Sequence, residues 1–179
     1  SVNDYKQFAN TFYSWTRDFS SVVYDGTHSD KRSDLITYQS YNEFSRGINS
    51  IPSSDANYTD NYKHIRRTNL LLQNAEAYAK PEDIKQYIGE AYFFRAYSYF
   101  DLLQLYGDVI ITKKPLDITD PEMKVKRNDR SEVVDLIIDD LNHAVENLPA
   151  FKELTTEEEG RISKEGAQAF LSRVALYEG

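Results

Sequence analysis

Cysteine is absent from the 179 residues. That excludes disulfides, thiolate metal sites and cysteine nucleophiles. It does not fix a compartment, because exported bacterial proteins often lack cysteine too. Long apolar runs are missing as well. No stretch of about 18 apolar residues occurs, so nothing reads as a membrane-spanning helix. A basic excess is also lacking: 21 Lys and Arg stand against 29 Asp and Glu, a net charge of −8. A general nucleic-acid binder needs a cationic face to displace counterions, so that class is excluded. The seven glycines are isolated, which leaves no phosphate-cradling loop, and no G-x-S-x-G elbow is present. His28, His64 and His143 are scattered, with no H-E-x-x-H spacing. We therefore expect no cofactor and no metal site.

Acid–base chemistry finds little support. The carboxylate runs are Asp139-Asp140 and Glu157-Glu158-Glu159. Adjacent helical residues point apart, so Asp139-Asp140 reads as a solvated helix face rather than a catalytic pair. The glutamate run reads as a solvated loop. No pair shows the opposed environments that glycosidase chemistry needs, so the expectation is not an enzyme.

What the chain does have is aromatic residues: 14 Tyr and 9 Phe, with one Trp. Hydrophobic residues make up 40% and mean hydropathy is −0.64, enough for a core. Tyrosine joins a flat apolar face to a hydrogen-bonding tip, so it serves cores and polar-ligand sites alike. The chain starts at Ser1 without a leader and stops in the last turn of an apolar helical pattern. We expect it to be a segment of a longer protein.

Periodicity predicts an all-α fold. Tyr5, Phe8, Phe12, Trp15 and Phe19 draw one apolar stripe along a helix over 4–23. From Tyr24 to Asn61 the pattern breaks and turn formers dominate, with short helical turns around Tyr38 to Arg46, and long connections of this kind are often functional. A helix resumes near Asn57, with Tyr58, Tyr62, Ile65, Asn69, Leu72 and Ala75/Glu76 in line and Leu70 and Leu71 widening the apolar face. Pro81, Glu82 and Asp83 suit the first turn of the next helix, predicted over 81–106 with two apolar faces and so sandwiched between neighbours. Gly107 is its predicted positive-φ stop. Asp129 and Glu132 have capping-box spacing before a helix over 130–148, whose predicted core line is Val134, Ile137, Leu141, Ala144 and Leu148. Ser163 caps a last helix with Ala167, Phe170, Leu171, Val174 and Tyr177 inward. The loose pairing with small-residue contacts is tetratricopeptide-like. The predicted organisation is an N-terminal helix and loop region over 1–56 and a tetratricopeptide-like region over 57–179.

Glu90 and Arg95 sit inside the most apolar helix. A charge there must be paired, capped or solvated by a cavity. A buried ion pair tying neighbouring helices is favoured over ligand contact. Asn69, on an inward line, reads as a buried amide bridging backbone groups.

These segments together resemble a known family. Tyr62-Lys63-His64-Ile65 through Asn69 looks like the Y-x-x-I-x-x-x-N of SusD/RagB-like proteins. Gly89-Glu90-Ala91-Tyr92-Phe93-Phe94-Arg95-Ala96 through Tyr99-Phe100 resembles that family's G-E-A-x-F-L-R-A-x-x-Y-F. Tyr106-Gly107-Asp108-Val109, then Arg130-Ser131, Ile138-Asp139-Asp140-Leu141 and Leu148-Pro149, are similar to its following motifs. So is Gly160-Arg161-Ile162-Ser163-Lys164 with Ala167, Leu171, Arg173 and Leu176-Tyr177. Tyr58 stands where the family often has Trp, and Ile110 where it usually has Pro. The motifs run in order over about 58–179.

The resemblance implies a SusD-like all-α fold of stacked helical pairs with long irregular loops. It implies a surface-exposed lipoprotein of the Bacteroidota outer membrane that binds nutrients, most often glycans, sometimes peptides, without cleaving them. It implies delivery to a SusC-like TonB-dependent transporter, and membrane attachment only through a lipid anchor upstream of Ser1. The rival reading is a scaffold segment that only contacts the transporter. Sugars dock by stacking C–H faces on aromatic rings, with hydrogen bonds at their edges. Arg32, Asp34, Tyr38, Tyr41 and Asn42 offer that mixture and are the candidate ligand-binding residues; Glu90, Arg95 and Asn69 are the structural signature.

Overall fold

The computed structural model describes residues 1–16, 47, 48, 50–117 and 119–179, apart from the side chain of Met123. Two compact units are present: Ser1–Tyr13 with Ala56–Gly179, and Ser14–Asp55. In the second unit, Gly47 takes a positive φ of 65° and Ile51 is 99% exposed.

The first unit contains five α-helices: α1 (Val2–Asn10), α2 (Ala56–Glu76), α3 (Lys85–Tyr106), α4 (Arg130–Asn147) and α5 (Lys164–Glu178). Short 3₁₀ turns join them, and the described residues include one isolated antiparallel bridge, Val109 to Asn128. The fold is all-α. Side-chain contacts give the direction of each helix. Asn61 reaches Asp101 and Asn69 reaches Arg95, so α2 and α3 run antiparallel. Arg95 meets Asp140 while Gly89 lies under Leu148, so α3 and α4 do the same. Arg130 meets Glu178, and Lys164 donates to the Pro149 carbonyl, which makes α4 and α5 antiparallel. The result is a stack of sequential helical hairpins.

Helix α3 is the centre of the stack, with 13 of its 22 residues buried. Ala91, Ala96, Tyr99, Leu102 and Leu103 are wholly inaccessible to solvent. Gly89 is a close-approach residue. A Cβ there would lie 2.9 Å from Leu148 Cγ and 3.1 Å from Asn147 Cβ, so α4 reaches α3 over bare backbone. Gly107 ends α3 at φ 67°, a conformation that favours glycine. Capping follows the expected chemistry. Asp129 and Glu132 form a capping box on α4, and Ser163 Oγ accepts from the Gly166 amide at the start of α5.

Several expected faces are rotated. On α2 Leu71, expected to widen the apolar face, is buried while Leu72 is only partly so, and Asn61 and Thr68 are buried beside the Ile65–Asn69 line. On α4 the buried residue is Val133 rather than Val134, and Leu136 and Asp140 are buried with it. On α4 the inward face turns to include Asp140, whose partner Arg95 lies on α3. Asp140 is therefore not on a solvated face. The first helix is also shorter than the stripe predicted: α1 stops at Asn10 and passes into a 3₁₀ turn over Thr11–Trp15. Thr11 Oγ1 donates to the Phe8 carbonyl, which satisfies that acceptor at the change of pitch. Phe19 lies outside the described residues. At the far end Tyr177 is half exposed rather than inward, with its ring edge-on to Phe100.

Candidate functional site

Two buried arginine clusters organise the first unit. In one, Arg95 Nε and Nη2 donate to the two oxygens of Asp140 at 2.8 and 2.6 Å. Its Nη1 donates to Asn69 Oδ1 at 2.8 Å. Burial pushes the Asp140 carboxyl above its ordinary range, and the Arg95 guanidinium opposes that push. Asn69 then turns its amide outward. Its Nδ2 donates to the carbonyls of Thr112 and Lys114, at 2.9 and 3.2 Å. The cluster thus links three helices to the irregular segment after α3.

The other cluster is centred five residues earlier on α3, at Glu90. Glu90 is fully buried and takes both Nε and Nη2 of Arg161, each at 2.8 Å. Arg161 also donates to Asn10 at the end of α1 and lies over the rings of Tyr13 and Tyr87, 5.4 Å from each centroid. Tyr13 accepts from the Ile162 amide at 3.0 Å. Each of the two signature charges of α3 therefore ties it to a different element: Arg95 to α2 and α4, Glu90 to α1 and the segment before α5.

The segment after α3 is fixed from several sides. Tyr99 Oη donates to the Thr112 carbonyl and accepts from the Thr112 amide at 2.8 Å. Tyr62 Oη donates to the Ile110 carbonyl at 2.9 Å. Asn128 Oδ1 accepts from the Ile111 amide at 2.9 Å. Backbone groups without a regular ladder must find partners, and here side chains of α2 and α3 supply them. The pinned segment forms one wall of a surface groove of about 460 Å³. The N-terminal half of α2 is the other wall.

Tyr58 and Tyr62 line the groove with Ile110 and Leu116. Their ring centroids are 4.8 Å apart at 48°, and Tyr106 abuts Tyr58 edge-on at 5.2 Å. Burial raises the Tyr62 phenol, so it stays protonated. Lys63, Arg66, Lys114 and Glu122 supply the charge. Each cation already has an acid. Lys63 pairs with Asp60 at 2.7 Å, Lys114 with Glu122 at 2.7 Å, and Arg66 reaches Asp117 at 3.5 Å. Arg66 Nε also donates to the Leu116 carbonyl at 3.2 Å. The hydrogen bond to Glu122 raises Lys114 above the usual lysine range. An apolar aromatic groove with a few convergent polar groups is the ordinary form of a small-ligand site.

The five candidate ligand residues, Arg32, Asp34, Tyr38, Tyr41 and Asn42, lie outside the described residues. The groove escaped the sequence reading. Its two walls are about fifty residues apart in the chain, and Tyr62, inside a recognisable motif, reads from the sequence as scaffold.

The fold and the sequence place the chain among known proteins. A SusD-like family model, described as starch-binding and associating with the outer membrane, matches residues 5–176. The chain belongs to the SusD-like family. Among curated SusD-like relatives, protein P38 of Formosa agariphila is 33% identical over 133 residues, covering 72% of this chain and 25% of P38. A SusD-like protein of Bacteroides ovatus is 33% identical over 89 residues, 50% of this chain and 15% of its own length. This SusD-like chain therefore spans a quarter or less of the curated relatives it matches. A crystal structure of a SusD-like protein from Bacteroides fragilis superposes with a TM-score of 0.78 at 28% identity, covering 97% of this chain and 34% of that one. A laminarin-binding SusD-like protein superposes with a TM-score of 0.66 at 30% identity, covering 75% and 29%.

Proposed function

We propose that this chain is part of a surface-exposed outer-membrane receptor that binds glycan and delivers it to a SusC-like TonB-dependent transporter. The observation that carries this reading is the SusD-like match over nearly the whole chain, together with the likeness to a laminarin-binding member. The role is capture without cleavage. Residues 57–179 serve as the tetratricopeptide-like region of that receptor, and a lipid anchor upstream holds it at the membrane. Arg32, Asp34, Tyr38, Tyr41 and Asn42 supply ring faces and hydrogen-bonding edges to the ligand.

Calorimetric titration of the purified protein with laminarin, a starch oligosaccharide and a peptide mixture tests the reading. Glycan binding is expected, weakened roughly tenfold or more in Tyr38→Ala/Tyr41→Ala, on the scale of one or two lost aromatic contacts. Full affinity in the double variant removes the loop assignment. Failure of wild type to bind any glycan, with retained co-purification of the transporter, favours the scaffold role. Release of reducing ends from polysaccharide overturns the non-catalytic role.

A further inference from the structure

We propose that the groove lined by Tyr58, Tyr62 and Arg66 of α2 and by Ile110, Lys114, Leu116 and Glu122 is a neutral-sugar subsite. The inference rests on the glycan-binding reading above and adds a place and a charge class to it. Three features of the groove select the occupant.

First, Tyr58 and Tyr62 line it, and pyranose C–H faces pack on such rings. Second, its polar groups are side chains at the rim with hydrogen-bonding capacity beyond their present partners. A guanidinium has five N–H donors and an ammonium three, while a carboxylate accepts several bonds. Arg66, Lys114 and Glu122 can therefore meet hydroxyls without abandoning their pairs. Third, among the described residues each cation lining the groove is paired with an acid: Lys63–Asp60, Arg66–Asp117 and Lys114–Glu122. An anionic sugar would have to break one of these pairs or sit against its acid. A neutral polyhydroxyl ligand has neither cost. The volume of about 460 Å³ is within the range of small-ligand sites.

Rigidity adds to the case. The 110–114 wall is held by Tyr62, Tyr99, Asn69 and Asn128, so the groove exists before any ligand arrives. A pre-formed site loses less conformational entropy on binding.

Titration with laminarin as the neutral probe and polygalacturonate as the anionic one tests the proposal. Tyr58→Ala is expected to weaken laminarin binding roughly tenfold, the worth of one aromatic contact. Because Tyr58 also packs on Tyr106, Arg66→Ala is the second variant. Arg66 is exposed, so its loss should weaken laminarin without moving the melting temperature. Glu122→Gln leaves the Lys114 cation uncompensated and should shift preference toward polygalacturonate. Wild-type laminarin affinity in both Tyr58→Ala and Arg66→Ala overturns the subsite while leaving glycan binding elsewhere intact. Wild-type preference for polygalacturonate, lost in Tyr58→Ala, overturns the neutral class. Absence of glycan binding by wild type removes both the subsite and the reading it rests on.

Discussion

Helix α2 carries two kinds of polar cluster, and they differ in everything but residue type. Asn69, in its C-terminal half, meets Arg95 and Asp140 with side chains 6% and 1% exposed. Lys63 and Arg66, in its N-terminal half, meet Asp60 and Asp117 with every side chain more than half exposed. The buried cluster has no solvent to replace a lost partner. Its geometry is bidentate, and all three nitrogens of the Arg95 guanidinium donate to protein atoms. The exposed pairs are screened, and water substitutes for either partner. The same arginine–carboxylate chemistry therefore fixes the scaffold in one place and remains available to a ligand in the other. The two are mechanically joined, because Asn69 holds the carbonyls of Thr112 and Lys114, which belong to the groove wall.

The largest effect should come from breaking the buried cluster. Arg95→Ala leaves the Asp140 carboxylate without a counterion and is expected to cost about 3–5 kcal/mol in denaturant unfolding. Replacing both partners with apolar residues of similar volume, Arg95→Met/Asp140→Leu, should recover most of the loss. The single variant also has a pH signature. Without Arg95, burial raises the Asp140 pKa in the folded state still further. A raised folded pKa contributes stability that is fully present below the unfolded carboxylate value and is lost as pH rises through the folded one. The deficit of Arg95→Ala should therefore shrink toward pH 4 and widen toward neutrality. A deficit independent of pH would mean that lost packing, not the stranded acid, is the cause.

The sequence was informative where each residue's role is local. The 3.6-residue period marked the helices, Asp129 and Glu132 marked a capping box, and Gly107 marked a stop. Arg95 and Glu90 drew notice as charges on an apolar helix, because a charge there must be paired. Their partners were hidden, since Asp140 is 45 residues away and Arg161 is 71 residues away from the group each meets. Asp140 beside Asp139 looked solvated by the rule for adjacent helical residues. One of the two had to point inward, and only the fold decided which. The groove was hidden for the same reason: its walls meet through Tyr62 and Ile110, 48 residues apart.

His64, next to Lys63 on α2, is intermediate in burial between the two clusters. Burial pushes its ring down to about 4, against the opposing charge of Asp60. A depressed folded pKa means the fold prefers the neutral ring. That contribution is present above pH 6.5 and is lost as pH falls toward about 4. Half-exposed, the ring should contribute about 1 kcal/mol after solvent screening. Thermal unfolding of wild type and His64→Gln from pH 7 to pH 4.5 isolates it. The variant should lose less stability over that range. Glu90 and Asp140, raised by burial, drive the opposite trend, so only the difference between the two proteins is diagnostic.

The smallest effect on stability is expected at the groove. Lys63→Ala, Arg66→Ala and Lys114→Ala each remove an exposed cation from a screened pair, and each should leave the unfolding midpoint close to that of wild type. These are the same side chains that would hydrogen-bond a sugar at the rim. The comparison on α2 thus predicts two opposed rankings. Arg95 variants should unfold first in denaturant, while Arg66 and Lys114 variants keep wild-type unfolding midpoints and lose glycan affinity. If Arg66→Ala instead destabilised the protein as strongly as Arg95→Ala, the bond from Arg66 to the Leu116 carbonyl would be part of the scaffold. The exposed half of α2 would then differ from the buried half in solvent contact alone, and not in role.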